Sequence, residues 1–255
     1  MANNDSIPRT LLVAVTLCIV CALVVASAAV MLKPAQVINK ALDRKANILA
    51  AAGLLVPGES VEEQFKQVTT KIVDLETGKF TDELAIKGFE QAKVAKDSAT
   101  SIALGDDDLA KIRRRENFAM VYLIEKDGKY DKVILPVRGY GLWSTLYGFL
   151  ALENDFNTVA GLGFYDHGET PGLGGEVDNP KWKAIWPGKE IYSDGDVAIE
   201  LVKGNVDSST PNAENKVDAL SGATLTSRGV SNLLRFWMGE LGYKSFLSNL
   251  RSGEA

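Results

Sequence analysis

From Thr10 to Leu32 the chain runs for 23 residues without a charge, TLLVAVTLCIVCALVVASAAVML. At about 1.5 Å rise per residue, a helix of that length crosses the roughly 30 Å hydrocarbon core of a bilayer with room for tilt. Pro8 precedes the run and Lys33-Pro34 follows it, so both limits are sharp. Ala26-Ser27-Ala28 resembles a leader cleavage site, but the run is longer than a leader's apolar core and only Arg9 precedes it. An uncleaved anchor fits better. Because the run is apolar all round, a buried core helix fits worse. The chain thus divides into a short tail at 1–9, a transmembrane helix at 10–32, a helical linker at 33–60 closing on Pro57-Gly58, and a soluble domain at 61–255.

Both cysteines, Cys18 and Cys21, lie inside the anchor. They read as small residues of a membrane helix, or as half of an iron–sulfur site that a partner would complete. The thiol-free remainder suits an oxidising compartment. The charges point the other way. Lys33, Lys40, Arg44 and Lys45 follow the anchor, and the positive-inside rule then places the large domain in the cytoplasm.

A net charge of −5 and an isoelectric point near 5.1 exclude a nucleic-acid binder, which needs a basic face. The triplet Arg113-Arg114-Arg115 is followed at once by Glu116 and reads as a solvated face or helix end. With His167 as the single histidine, the chain is short of the ligands for a zinc, triad or haem site. No catalytic residue and no metal is therefore expected, and redox work would need an organic cofactor.

Residues 61–117 read as mixed, with a charged helix-prone stretch, a turn at Thr77-Gly78 and a polar helix around 82–98. From Asn117 the pattern turns to strands. FAMVYLIE and KVILPVRG flank Asp127-Gly128, a hairpin signal. LYGFLALE and TVAGLGFYDH follow across the turn at 154–157, and DVAIELVKG at 196–204 reads as one more strand. LTSRGVSNLLRFWMGELG has helical apolar spacing stopped by Gly242. The fold class is α+β, an antiparallel sheet with packed helices behind an amino-terminal transmembrane helix.

Two stretches carry chemistry. Gly168-Glu169-Thr170-Pro171-Gly172-Leu173-Gly174-Gly175-Glu176 has four glycines in nine residues, which lets the backbone approach a ligand, or simply builds a loop. Asp218-Ala219-Leu220-Ser221-Gly222-Ala223-Thr224-Leu225-Thr226-Ser227 places four hydroxyls at a helix start. They could be N-caps. A helix N-terminus also favours phosphate, so a threonine there could hold a phosphoester.

D-x-x-S-G-A-T resembles the flavinylation motif of the FMN-binding domain family. The anchor, SIALGDDDLAKIRRRENFAMVYL, KVILPVRGYGLWSTLYGF and GETPGLGGEV together resemble the NqrC family, the C-type subunits of the bacterial sodium-translocating NADH:quinone reductases, over nearly the whole chain. The G-type subunit of the related ion-translocating electron-transport complex shares SGAT but is less similar. A membrane-tethered small-ligand-binding protein is the reading if the hydroxyls are plain caps.

The resemblance implies a covalent FMN, joined through its phosphate to Thr224 by a dedicated flavin transferase. Ser221, Gly222 and Ala223 complete the motif, and Asp218 is its acidic position. Thr226 is the second candidate for the ester. Trp143 and the loop residues Glu169, Thr170, Gly172, Leu173, Gly174 and Gly175 would line the flavin. The protein would relay electrons to the flavin of the neighbouring B-type subunit, within a complex that oxidises NADH, reduces ubiquinone and exports sodium, and would not be catalytic alone. It would span the bacterial inner membrane once, in contact with the lipid bilayer, with its domain in the periplasm against the charge rule.

Overall fold

The structure is a computed structural model that describes residues 6–86, 88–89 and 91–255. Most of the expected tail at 1–9 falls on residues 1–5, outside those described. The chain forms two compact units, Met1–Arg44 and Lys45–Ala255.

The first unit is helical from Ile7, the start of α1 (Ile7–Ala51). Residues 6 to 41 are exposed throughout, including Leu11, Leu17, Leu23 and Val25. Large apolar side chains standing out on every side of a helix are suited to lipid rather than water.

In the second unit, β1 (Val68–Asp74), β2 (Lys79–Phe80), β5 (Phe118–Lys126), β6 (Lys129–Tyr140), β7 (Thr145–Glu153) and β8 (Val159–Asp166) form one antiparallel sheet ordered β2-β1-β5-β6-β7-β8. The short helix α2 (Val61–Phe65) leads into β1, while α3 (Gln91–Val94) and the β3–β4 ribbon (Ser101–Ala103, Arg114–Glu116) lie between β2 and β5 in the chain. Asp127 and Gly128 turn the β5–β6 hairpin, both at positive φ, as a two-residue connection requires. Successive strand residues face opposite ways. Val121, Leu123, Leu135 and Leu150 point into the main core with α5 (Thr224–Met238) and α6 (Lys244–Ser252). Met120, Tyr122, Ile134 and Phe149 point to the other face, covered by Ile48, Leu49 and Ala51 at the end of α1. Both faces are buried, which is why these strands are apolar almost without interruption. The sheet and helices are the α+β class expected.

Helix α5 lies on β6. The Trp237 indole donates to the Arg138 carbonyl at 2.7 Å, and the Tyr243 hydroxyl to that of Pro136 at 2.8 Å. Their rings stack 5.3 Å apart.

Four local expectations are corrected. The polar helix around 82–98 shrinks to Gln91–Val94, with Lys87 and Glu90 outside the described residues. The strand at 196–204 divides into β10 (Asp196–Val197), paired with β9 (Tyr192–Ser193), and β11 (Glu200–Val202), paired in parallel with β12 (Lys216–Asp218). Between them the Ala198 and Ile199 N–H groups both turn to the Ile191 carbonyl. Helix α5 stops at Gly239, not Gly242. Arg115 is no solvated residue. It is buried in β4, donating to the Glu116 and Leu241 carbonyls at 3.1 and 3.0 Å.

Candidate functional site

The turn before α5 is built without a hydroxyl at its N-cap. That position is Ala223, whose side chain cannot accept a hydrogen bond. The turn is held from inside the helix. The Ser227 hydroxyl accepts from the Leu220 N–H and donates to the Ala223 carbonyl, both at 3.0 Å. Gly222 supplies the positive φ of 72° that lets the chain enter. Ser221 and Thr224 are left exposed, and the Thr224 hydroxyl makes no hydrogen bond among the described residues.

Thr226 has the opposite fate. It is fully buried and donates to Glu169 Oε2 at 2.7 Å. Glu169 Oε1 accepts from the Leu142 and Trp143 N–H groups at 3.0 Å each and from Ser144 at 3.4 Å. One buried carboxylate thus ties the Gly-rich loop, the 141–144 turn and the start of α5 together. Burial pushes its pKa up, but the Thr226 hydroxyl and the Trp143, Leu142 and Ser144 N–H groups outweigh that and hold it below the ordinary 4.5.

The loop is braced at its entrance, where the Gly168 N–H donates to Ser144 Oγ at 2.6 Å. The Glu169 N–H donates to His167 Nδ1 at 3.2 Å, so Nε2 carries the proton toward Asp178 at 2.8 Å. The exposed Thr170 accepts at its carbonyl from the Leu173 and Gly175 N–H groups, closing the turn, with Gly172 at positive φ. Leu173 crosses over Gly222, where an added Cβ would lie 3.2 Å from its side chain. Gly174 packs so tightly that a Cβ would lie 2.5 Å from both Glu169 Oε2 and Thr226 Oγ1. Gly174→Ala should therefore cost about 1–3 kcal/mol in thermal unfolding. An unchanged melting temperature would contradict this packing.

Asp218 is set back from the exposed surface as a brace. Its carboxylate accepts from the Val206 N–H at 2.7 Å and its carbonyl from the Trp182 indole at 2.9 Å.

Thr224 opens on a cleft of about 580 Å³ that Ser221, Gly222, Leu201, Lys203, Arg228 and Arg235 also line. Arg235 is paired with Glu200 at 2.8 Å, whereas Lys203 and Arg228 have no carboxylate partner among the described residues. The cleft can accept a negative charge beside a free hydroxyl at a helix start. Arg228, one turn below Thr224, is the residue that sequence reasoning missed, although spacing of four on a helix would have found it. A hollow of about 190 Å³ next to it is bounded by Leu142, Leu225 and Arg228.

Neither Trp143 nor residues 169–175 line the cleft itself. Leu173 lies against Gly222 of its lining, and Trp143, Leu173 and Leu225 are exposed by 65, 45 and 52%. No group of three or more metal-ligating side chains occurs among the described residues.

Residues 141–239 match the FMN-binding domain family. Over the full length of both chains, the sequence is 57% identical to a protein from Pseudomonas aeruginosa named as the C-type subunit of Na(+)-translocating NADH-quinone reductase. It is 47% identical to the Pasteurella multocida protein of the same name, over 98% of this chain and 97% of that one. A crystal structure of NqrC from Shewanella oneidensis matches with a TM-score of 0.77 at 38% identity, covering 84% of this chain and 99% of the other.

Proposed function

Since the chain belongs to the NqrC family of sodium-translocating NADH-quinone reductase subunits, we propose that it holds FMN covalently, through a phosphodiester to Thr224, and relays electrons to the B-type subunit. It is an FMN-binding subunit of that complex, and the one helix among the described residues that is long and apolar enough to cross a membrane fits a single-pass protein of the inner membrane. Sodium export would be a property of the whole complex. In the same reading 10–32 spans the membrane, 33–60 links, and 61–255 carries the flavin.

The observation that carries the assignment is the Thr224 hydroxyl, exposed at the first residue of α5 and unengaged among the described residues, facing a cleft where Lys203 and Arg228 have no carboxylate partner among them. The donor set fits FMN. Lys203 and Arg228 suit its phosphate, and the exposed Leu142, Trp143, Leu173 and Leu225 suit the faces of an aromatic ring system. Bound FMN would supply one- and two-electron chemistry. The protein's part is to fix the attachment point, neutralise the phosphate and brace the surrounding loops through Glu169. Thr226 fits the ester less well, because its hydroxyl is buried and already committed to Glu169.

The direct test is flavin fluorescence of the protein after denaturing electrophoresis, with and without the flavin transferase during expression. Fluorescence only with the transferase supports the reading, and none in either case overturns it.

We also place the large domain in the periplasm. Protease added to intact spheroplasts is then expected to remove it. Protection until lysis would show that Lys33, Lys40, Arg44 and Lys45 had set the orientation instead.

A further inference from the structure

Where β4, β6 and β7 meet, a second cleft of about 710 Å³ is lined by Lys96, Lys111, Arg113, Arg114, Arg138 and Tyr147. Arg138 is paired with Glu116, and Arg114 donates to Ser101. The one carboxylate in the lining, Asp108, is occupied by backbone. Its oxygens accept from the Ile112 and Arg113 N–H groups at 2.8 and 2.6 Å. Lys96, Lys111 and Arg113 are exposed and pair with no carboxylate among the described residues. In a chain whose net charge is −5, this is a local concentration of positive charge.

The loop presenting two of these cations is strained. Lys111 and Arg113 both have left-handed backbone, at φ 54° and 66°. Non-glycine residues adopt that conformation only at a cost, and the Asp108 carboxylate holds the loop there. Tyr140 lines this cleft and also the hollow beside Leu225, and is 39% exposed, with Leu142 and Trp143 close to it in the chain. Arginine, tyrosine and tryptophan around a charged depression are the side chains that protein interfaces concentrate.

We propose that this cleft is the docking site for an acidic segment of another subunit of the reductase complex. Charge complementarity selects the occupant. Three cations without a carboxylate partner among the described residues and two partly engaged ones outnumber the lone Asp108 of the lining and call for several carboxylates, and a neutral partner would bury cations unpaired. An open cleft of this size also exceeds what one inorganic phosphate fills. The proposal goes beyond flavin attachment and does not depend on it. Through Tyr140, a partner seated here would lie next to the start of α5.

The test uses the full-length protein expressed with the rest of the complex. Lys96→Glu/Lys111→Glu/Arg113→Glu is expected to lower co-purification with the other subunits at least about tenfold, with its own flavin fluorescence unchanged. Lys126→Glu/Lys129→Glu, exposed at the hairpin where β5 ends and β6 begins, should co-purify normally. Should the reversed chain fail to fold, the Lys96→Gln/Lys111→Gln/Arg113→Gln variant decides, with a smaller loss relative to the native chain that narrows as salt is raised, because salt screens the native pairs. Normal co-purification of the folded triple variant, or equal loss in the hairpin control, overturns the proposal. So does a triple variant that assembles normally but no longer binds vesicles of anionic phospholipid, because the cleft would then serve a lipid headgroup.

Discussion

Thr224→Ala is expected to give a folded protein with no flavin that survives denaturation. The Thr224 hydroxyl caps nothing and bonds to nothing among the described residues, so its removal should cost less than about 0.5 kcal/mol. A threonine acting as N-cap would cost about 1 kcal/mol and leave any flavin in place. The proposed phosphoester would need that one oxygen, and the loss of covalent flavin should be complete rather than graded. Thr226→Ala should show the reverse pattern. It deletes a buried hydrogen bond to a carboxylate, worth about 1.5–3 kcal/mol in urea unfolding, while covalent flavin persists. Thr226→Ala is thus no neutral control, and the pair separates attachment from support. Fluorescence kept in Thr224→Ala and lost in Thr226→Ala would move the ester. Fluorescence kept in both would remove it from this turn.

The largest loss of stability should come from Glu169→Ala, about 3–5 kcal/mol. It leaves the Leu142 and Trp143 N–H groups and the Thr226 hydroxyl without an acceptor, and opens space between three segments. Glu169→Gln keeps the size and loses the charge. The carboxylate is held below the ordinary 4.5, so the stability it contributes is fully present above that value. It fades as pH falls through the lower folded value. The gap in unfolding midpoint between the native chain and Glu169→Gln should accordingly be widest above about pH 5 and narrow under acid conditions. A gap constant with pH would mean that the charge itself contributes nothing.

Much of the fold could be read directly from the chain, where one local signal determines one element. The hairpin at Asp127-Gly128 did so, because only residues tolerant of positive φ build that turn. The polar stretch at 82–98 had helix-forming residues but no apolar stripe, and propensity alone does not sustain a helix. The break in 196–204 comes from the Ile191 carbonyl, and the burial of Arg115 from Leu241, neither of them visible in a local window. The candidate site divides along the same line. The Gly-rich loop stood out by its four glycines in nine residues, and Thr224 by resemblance to a motif. Arg228 could have come from helical spacing. The joining role of Glu169 could not, since its donors stand 25 to 57 residues away in the chain.

The Ser227 bracket across Leu220 and Ala223 has a consequence for the order of events in making the protein. Because a residue deeper in the helix secures the turn, Thr224 is spare. On the proposed attachment at Thr224, the polypeptide could finish folding with that oxygen still bare. A flavin transferase would then meet it on a finished surface, with no structural bond to break first. Flavin loading would be a late step that can wait for supply, and an unloaded chain a folded intermediate rather than a misfolded one.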